Sequence, residues 1–410
     1  MIEILQKENC CGCNACVQRC PQQCISMHED IEGFLYPQVD QSKCINCNLC
    51  NKVCPVLNQG DPRQPLQVKA AKNPDKQIRI ASSSGGIFTL LAEQILQIHG
   101  VVFGARFNDN WEIVHDFTET KDGLEAFRGS KYSQSKIGTA YQQVEFFLKG
   151  SRTVLFSGTP CQIAGLRHFL LKEYPNLLTV EVICHGVPSP ALWRRYLKTI
   201  VNKTVTPLPD VIHSLKQTIT SISFRDKKSG WDKYSIVIKG LGLNKNGKQI
   251  SNKILLSETV DKNSYMQGFI HDLYLRPSCY ACPSKSLKSG SDLSIADFWG
   301  VEYYCTKMDD NLGVSAVLIN TQKGLDFWTT LKVDSQETTY TSVLRGNTAI
   351  CNSCKCPSLR ASFFEQIEST PFDEVVRKHI HISYRDRLKI LIKMILRNKR
   401  LFTLIKKIAQ

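Results

Sequence analysis

The chain of 410 residues contains no apolar run of the roughly 18–20 residues that a membrane-spanning helix needs, so no span is expected. Met1 to Gln6 shows no basic stretch leading into a long apolar one, so no secretory signal is expected and the chain reads as cytoplasmic. No G-x-G-x-x-G fingerprint occurs, so nothing signals a Rossmann-type dinucleotide site. Acidic residues are the scarcer charge, with 37 Asp and Glu against 52 Lys and Arg. No nucleic-acid module accompanies that excess, and its densest cluster is a C-terminal tail, so nucleic acid is not the expected partner. Hydrophobic content of 42% leaves enough apolar material for two or three domains with a core.

Cysteine is the residue in surplus. There are 18, and ten of them lie between Cys10 and Cys54. A secreted disulfide scaffold would be short and would carry a signal. In a reducing compartment this density means metal or redox chemistry. Cys10, Cys13, Cys16 and Cys20 are followed by Pro21, and Cys44, Cys47, Cys50 and Cys54 by Pro55. Both runs read C-x2-C-x2-C-x3-C-P, the pattern of two-cluster ferredoxins. Short loops let three thiolates converge on one 4Fe–4S cubane. The fourth, beside a proline that turns the chain, reaches the other cluster. One cluster is thus expected on Cys10, Cys13, Cys16 and Cys54, the second on Cys44, Cys47, Cys50 and Cys20. Zinc sites also use two-residue gaps, but not three cysteines in tandem plus C-P, twice. Cys11 and Cys24 fall off the pattern and read as bystanders. Such a module relays electrons, and the chain that continues beyond it makes it the electron port of something larger.

Residues 1–58 thus form a ferredoxin-type domain, and the polar, Pro- and Gly-containing stretch 59–66 reads as a linker. Beyond it the pattern is α/β. Strands are expected at Leu66–Lys72, Val101–Phe107, Thr153–Phe156 and Leu178–Ile183, and helices at Ile87–Ile98, Gln162–Leu171 and Ala191–Ile200. Alternation of this kind points to a mixed, largely parallel α/β catalytic domain, with parts at 67–200 and 201–375.

Two turns carry chemistry. Ser82-Ser83-Ser84-Gly85-Gly86 opens a helix, where hydroxyls and free backbone N–H groups suit a phosphate, although an ordinary N-cap reads the same way. Ser157-Gly158-Thr159-Pro160-Cys161 sets a thiol at a helix start. Cys184 follows the next strand, which puts both cysteines on the sheet edge where ligands of open α/β sheets bind. With Cys279 and Cys282 of a C-x2-C-P element they supply four thiols for a third cluster; their convergence is not legible in the sequence.

The chain resembles the coenzyme F420 hydrogenase/dehydrogenase beta-subunit family fused to a ferredoxin module. The likeness extends to about residue 370. Its marks are SSSGG at Ser82, GSKYSQS at Gly129, FSGTPCQIAGLR at Phe156 and CHGVPSP at Cys184, followed by SFRDKKSGW at Ser223, CYACP at Cys279 and SDLSIADFWG at Ser291. The resemblance implies an oxidoreductase with FAD and 4Fe–4S clusters that exchanges hydride with an organic partner and single electrons with the clusters. It implies a third cluster on Cys161, Cys184, Cys279 and Cys282. It makes Ser84, Gly85 and Gly86 candidates for the FAD phosphates, and Lys131 a candidate for a phosphate or the flavin N1–C2 side, against an ordinary solvated lysine. For Tyr132 and Trp299 the alternative to a place at the site is core packing, and Trp299 reads as core. Asp297 reads either as orienting a polar group or as capping a turn. The alternative function is an electron relay serving a separate partner enzyme, and bacterial relatives encoded beside surface-polysaccharide genes suggest where it would work.

Cys351, Cys354 and Cys356 resemble a partial cluster run in a segment where relatives usually lack cysteines, and Cys305 has no partner in sequence. Residues 376–410 form a basic tail. From Ser383 on it holds nine Lys or Arg against Asp386, with Leu388, Leu391, Ile392, Ile395 and Leu396 at helical spacing. Such a helix reads as a contact to the inner membrane face or an acidic partner, or as a docked helix with a solvated face.

Overall fold

The computed structural model of the chain describes residues 1–204, 215–243 and 249–380. The basic segment from Ser383 onward, with its expected amphipathic helix, lies outside the described residues.

The N-terminal module is an internal repeat. Each cysteine run carries a short helix, α1 (Ala15–Arg19) and α2 (Leu49–Lys52), entered through an asparagine in the left-handed region, Asn14 at φ 65° and Asn48 at φ 61°. Asparagine tolerates that conformation better than most residues with a Cβ. Between the runs, β1 (Ile25–Glu29) pairs antiparallel with β2 (Leu35–Val39).

The stretch expected to be a linker is tied down: Arg63 donates to the Leu287 carbonyl at 2.9 Å and the Ser291 carbonyl at 3.1 Å. The chain then enters β3 (Gln67–Lys72), α3 (Lys76–Ala81), α4 (Ile87–Gln97), β4 (Val101–Phe107), β5 (Ile113–Thr118), α5 (Lys121–Leu124) and α6 (Ala140–Lys149). There follow β6 (Val154–Gly158), α7 (Pro160–Leu170), β7 (Leu177–Val182) and α8 (Pro190–Thr204). Next are β8 (Ile219–Asp226), β9 (Ser235–Leu243), β10 (Gln249–Thr259), β11 (Leu293–Asp297), β12 (Ser315–Ile319) and β13 (Asp334–Glu337).

Eight strands form one sheet in the order β13-β3-β12-β11-β7-β6-β4-β5. Its centre is parallel, β4 with β6, β6 with β7 and β7 with β11. The remaining neighbours pair antiparallel, so the sheet is mixed rather than largely parallel. Over Val101–Phe103 of β4 and Val154–Phe156 of β6 the strands are apolar on both faces. Phe103 and Phe156 pack toward α6 and α7, while Val102 and Leu155 pack toward α4. Alternate side chains leave opposite faces of a strand, so a sheet covered on both sides needs continuous apolar runs.

A separate antiparallel sheet, β10-β9-β8, packs with α8 and three helices, Ser264–Ile270, Arg360–Gln366 and Phe372–His379, around Trp193, Tyr196, Phe224 and Tyr265. The last helix runs across the boundary expected at residue 376, with Val375, Val376 and His379 buried. Among the described residues, no helix is long and apolar enough to cross a membrane.

Candidate metal centres and the adjoining cleft

The ferredoxin thiols gather into two sets. One small cavity is lined by Cys10, Cys13, Cys16 and Cys54 together with Ile2, Ile4 and Met27. Another is lined by Cys44, Cys47, Cys50 and Cys20 with Ile25 and Val39. Each run therefore sends its last cysteine to the other run's cavity. Thiols so packed do not ionise readily. Burial, followed by the nearby Cys10 and Cys54, pushes Cys16 up to about 12. Such groups become thiolates when a cationic core takes up their charge, and an all-sulfur donor set in fours fits a 4Fe–4S cubane. Backbone and guanidinium donors already point at the sulfurs: Ile2 N–H to Cys50 Sγ at 3.1 Å and Arg276 Nη2 to Cys10 Sγ at 3.5 Å.

Cys161, Cys184, Cys279 and Cys282 lie far apart in the chain and close in the fold. Burial raises Cys184, and the charges of Cys279, Cys161 and Cys282 raise it further. Burial likewise pushes Cys279 up to about 12. The Val187 N–H donates to Cys279 Sγ at 3.4 Å. Lys285 donates to the Cys184 carbonyl at 2.8 Å, and its charge favours the thiolates of Cys184 and Cys282. Four mutually repelling sulfurs with a compensating cation again fit a cluster.

Cys11, which the spacing makes a bystander, is buried between the two groups. Its thiol hydrogen-bonds with those of Cys13 and Cys161, and the bond to Cys11 raises Cys161. Cys24 lies 3.4 Å from Cys20, sulfur to sulfur. Cys305 is buried in a separate apolar cluster with Val301 and Met308. Of the later run, Cys351 and Cys356 are exposed, while Cys354 turns inward and donates to the His185 carbonyl at 2.8 Å.

A cleft of about 510 Å³ opens over the C-terminal ends of β4, β6, β7 and β11. Cys184 and His185 form part of its wall. Ser84 and Gly86 line it with the first turn of α4, whose N–H groups have no partner within the helix. Gly85 stands behind that wall. Its N–H donates to Ser315 Oγ at 3.0 Å, and a Cβ there would come within 2.5 Å of the Ala71 carbonyl. The serine hydroxyls are engaged in the fold: Ser84 donates to the Val314 carbonyl at 3.0 Å, and Ser83 accepts from the Ser130 N–H at 2.6 Å. Lys131 faces the cleft and donates to the carbonyls of Gly129, Arg128 and Phe127 at 3.1–3.4 Å; burial lowers it to about 7.

The FRDKKSGW stretch supplies residues that the sequence did not single out. Lys227 sits beneath the SSSGG turn and donates to the carbonyls of Arg79, Ser84 and Leu312 at 2.5, 3.0 and 2.7 Å. Arg225, 6% exposed, donates from Nη1 to Asp297 and lies against the rings of Tyr234 and Trp299. Its Nε and Nη2 have no protein partner. Asp297 thus orients a polar group, and it also accepts from Trp231 Nε1 at 3.1 Å. Trp299 packs against an apolar core cluster, stacked on Trp231 with centroids 4.7 Å apart, and its half-buried ring also lines the cleft. Tyr132 lines the cleft too, packed on Phe269 at 4.9 Å.

His115 closes the cleft floor. Gln162 Nε2 donates to Ser135 Oγ at 2.8 Å, and Ser135 Oγ lies 3.0 Å from His115 Nδ1. His115 Nε2 lies 3.1 Å from the Ser157 carbonyl, which can only accept, so Nε2 carries the proton. Burial lowers His115 to about 4, so the ring stays neutral.

Residues 68–141 match the family described as the N-terminal part of the coenzyme F420 hydrogenase/dehydrogenase beta subunit, and residues 151–343 match the family described as its C-terminal part. Residues 9–58 match the 4Fe-4S dicluster domain. The chain belongs to the coenzyme F420 hydrogenase/dehydrogenase beta-subunit family and carries an N-terminal dicluster domain. It is therefore an iron–sulfur protein of an oxidoreductase family. No curated protein matches it. Among solved structures it is similar to a chain of the F420-reducing [NiFe] hydrogenase complex from Methanosarcina barkeri, studied by xenon derivatization. Identity is 17%, over 68% of this chain and 84% of that one, with a TM-score of 0.41.

Proposed function

We propose that the chain is a flavin- and iron–sulfur-dependent oxidoreductase that moves electrons between its ferredoxin module and a ligand in the cleft. In this reading Cys10, Cys13, Cys16 and Cys54 hold one cluster, Cys44, Cys47, Cys50 and Cys20 a second, and Cys161, Cys184, Cys279 and Cys282 a third. FAD occupies the cleft against Ser84, Gly86, Lys131 and Arg225. The observation that carries the proposal is continuity. Cys11 joins Cys13 of the first set to Cys161 of the third, and Cys184 of the third set is in the cleft wall.

FAD, when bound, exchanges electron pairs with an organic partner and single electrons with clusters. The chain's own residues prepare the site. Lys227 fixes the turn that opens α4. Arg225 offers two adjacent N–H groups, the side-on fork that meets paired acceptors. His115 keeps one tautomer and remains an uncharged wall. At the far end, Cys47 is exposed and Ile45 beside it is 59% exposed, so the second cluster's edge is the port for a redox partner.

Anaerobic purification tests this. About twelve iron per chain, for three four-iron clusters, and FAD released on denaturation support it. Eight iron and no flavin would sink it and leave an electron relay for a separate enzyme. Full iron in a Cys161→Ser variant rules out the third cluster as assigned.

A further inference from the structure

The inward cysteine of the C-terminal run lies in a second cluster of ligating side chains. His185, Asp272 and Cys354 come from three segments remote in sequence, and their ligating atoms all lie within 4.8 Å of one another. His185 Nε2 lies 2.5 Å from Asp272 Oδ1. The site is half-open: the His185 side chain is 41% exposed and that of Asp272 21%.

We propose that His185, Asp272 and Cys354 bind one divalent metal ion of the zinc class. The donor set is nitrogen, carboxylate oxygen and thiolate sulfur, the mixture that zinc accepts at about 2.0–2.3 Å, with ligand atoms about 3.3–3.8 Å apart around a tetrahedron. From the present spacing the His185–Asp272 pair spreads slightly from 2.5 Å, and the widest separation, within 4.8 Å, closes by up to about 1 Å. Metal entry displaces the Cys354 thiol proton to solvent, and the proton that His185 Nε2 now shares with Asp272 is exchanged through solvent onto Nδ1, which frees Nε2 to ligate. The Asp272 and Cys354 charges then neutralise the dication. Three protein ligands leave a fourth position open to water or a small ligand.

Each ligand is also tied to a cysteine of the third set. His185 adjoins Cys184. The Asp272 carbonyl accepts from Tyr280 Oη at 2.5 Å, and Tyr280 sits between Cys279 and Cys282. Ser353, next to Cys354, accepts from the Cys282 N–H at 2.9 Å. A metal here clamps the outer wall of that set. The clamp role rests on the third-cluster reading; the metal site itself does not.

The test uses full-length protein purified anaerobically with its clusters in place. Zinc and iron are measured together by elemental analysis. Zinc ion is then titrated into chelator-treated protein against a chromophoric competitor. One zinc per chain is expected beyond the iron, with affinity falling at least tenfold in both Cys354→Ala and Asp272→Asn. Cys351→Ala and Cys356→Ala keep wild-type affinity. Should Cys354→Ala fail to fold, Asp272→Asn alone decides. Wild-type protein without zinc, undiminished affinity in Asp272→Asn, or equal losses in the Cys351 and Cys356 variants overturns the proposal. Iron separates the two readings. Eight iron with one zinc removes the third cluster and leaves this site standing; twelve iron without zinc does the reverse.

Discussion

Arg276 and Cys10 are joined twice: Nε donates to the Cys10 carbonyl at 2.7 Å, and Nη2 reaches Cys10 Sγ at 3.5 Å. Arg276 is 1% exposed, and its guanidinium lies over the Tyr36 ring and also donates to Gln134 and to the Leu35 carbonyl. A buried cation against a thiolate favours the cluster's more negative, reduced state. Arg276→Gln is therefore expected to lower the potential of the Cys10 cluster by on the order of 60 mV, about a tenfold shift for one electron. An anaerobic redox titration followed by EPR reads it; an unmoved midpoint shows that the arginine only packs.

The crossed lining of the two small cavities makes a pairing prediction. Cys54→Ser is expected to disturb the same EPR signal as Cys16→Ser, and Cys20→Ser the same signal as Cys47→Ser, with iron falling from about twelve toward about eight. If Cys20→Ser instead tracks Cys16→Ser, each run holds its own cluster.

Arg225→Lys keeps the cation and removes the fork. FAD retention or the affinity of the cleft's organic partner is expected to fall at least tenfold, about 1.4 kcal/mol. Equilibrium dialysis with FAD, beside steady-state KM for any electron acceptor, shows which of the two depends on the fork. No change in either measurement shows that the two unpartnered N–H groups serve neither ligand.

Lys131 gives a pH signature. Burial lowers it from 10.5 to about 7, so the folded state binds this proton less well than the unfolded state does. Its burden on the fold is full below pH 7 and fades as pH rises toward 10.5. Lys131→Met is expected to raise the melting temperature most near pH 6.5 and progressively less toward pH 9, with a slope of at most about 1.4 kcal/mol per pH unit. A gain that is flat with pH would assign it to packing alone.

The sequence disclosed what is local and periodic. The two cysteine runs, the strand at Val101–Phe107 and the helix beginning at Ile87 are read from spacing, and the structure has them there. It did not disclose β12 pairing antiparallel with β3, because that pairing joins segments more than two hundred residues apart and leaves no mark on either. The same holds for Lys227 beneath Ser84 and for Arg276 on Cys10. A lysine or arginine in a sequence looks solvated until the fold closes over it. Cys11 carries no pattern at all; only its neighbour across the interface, Cys161, gives it meaning.

Gly165 of α7 rests on the ferredoxin module so closely that a Cβ would come within 2.8 Å of Cys13 Cβ and 3.0 Å of its sulfur. On the other flank, Arg360 grips both carboxylate oxygens of Glu32 at 2.8 and 2.6 Å. A module seated in this way is an inlaid terminal, not a swinging carrier. Electron passage between module and body then depends on fixed tunnelling distances and is indifferent to solvent viscosity, and a ferredoxin grafted from another protein would need to match that glycine-faced seat before it could conduct.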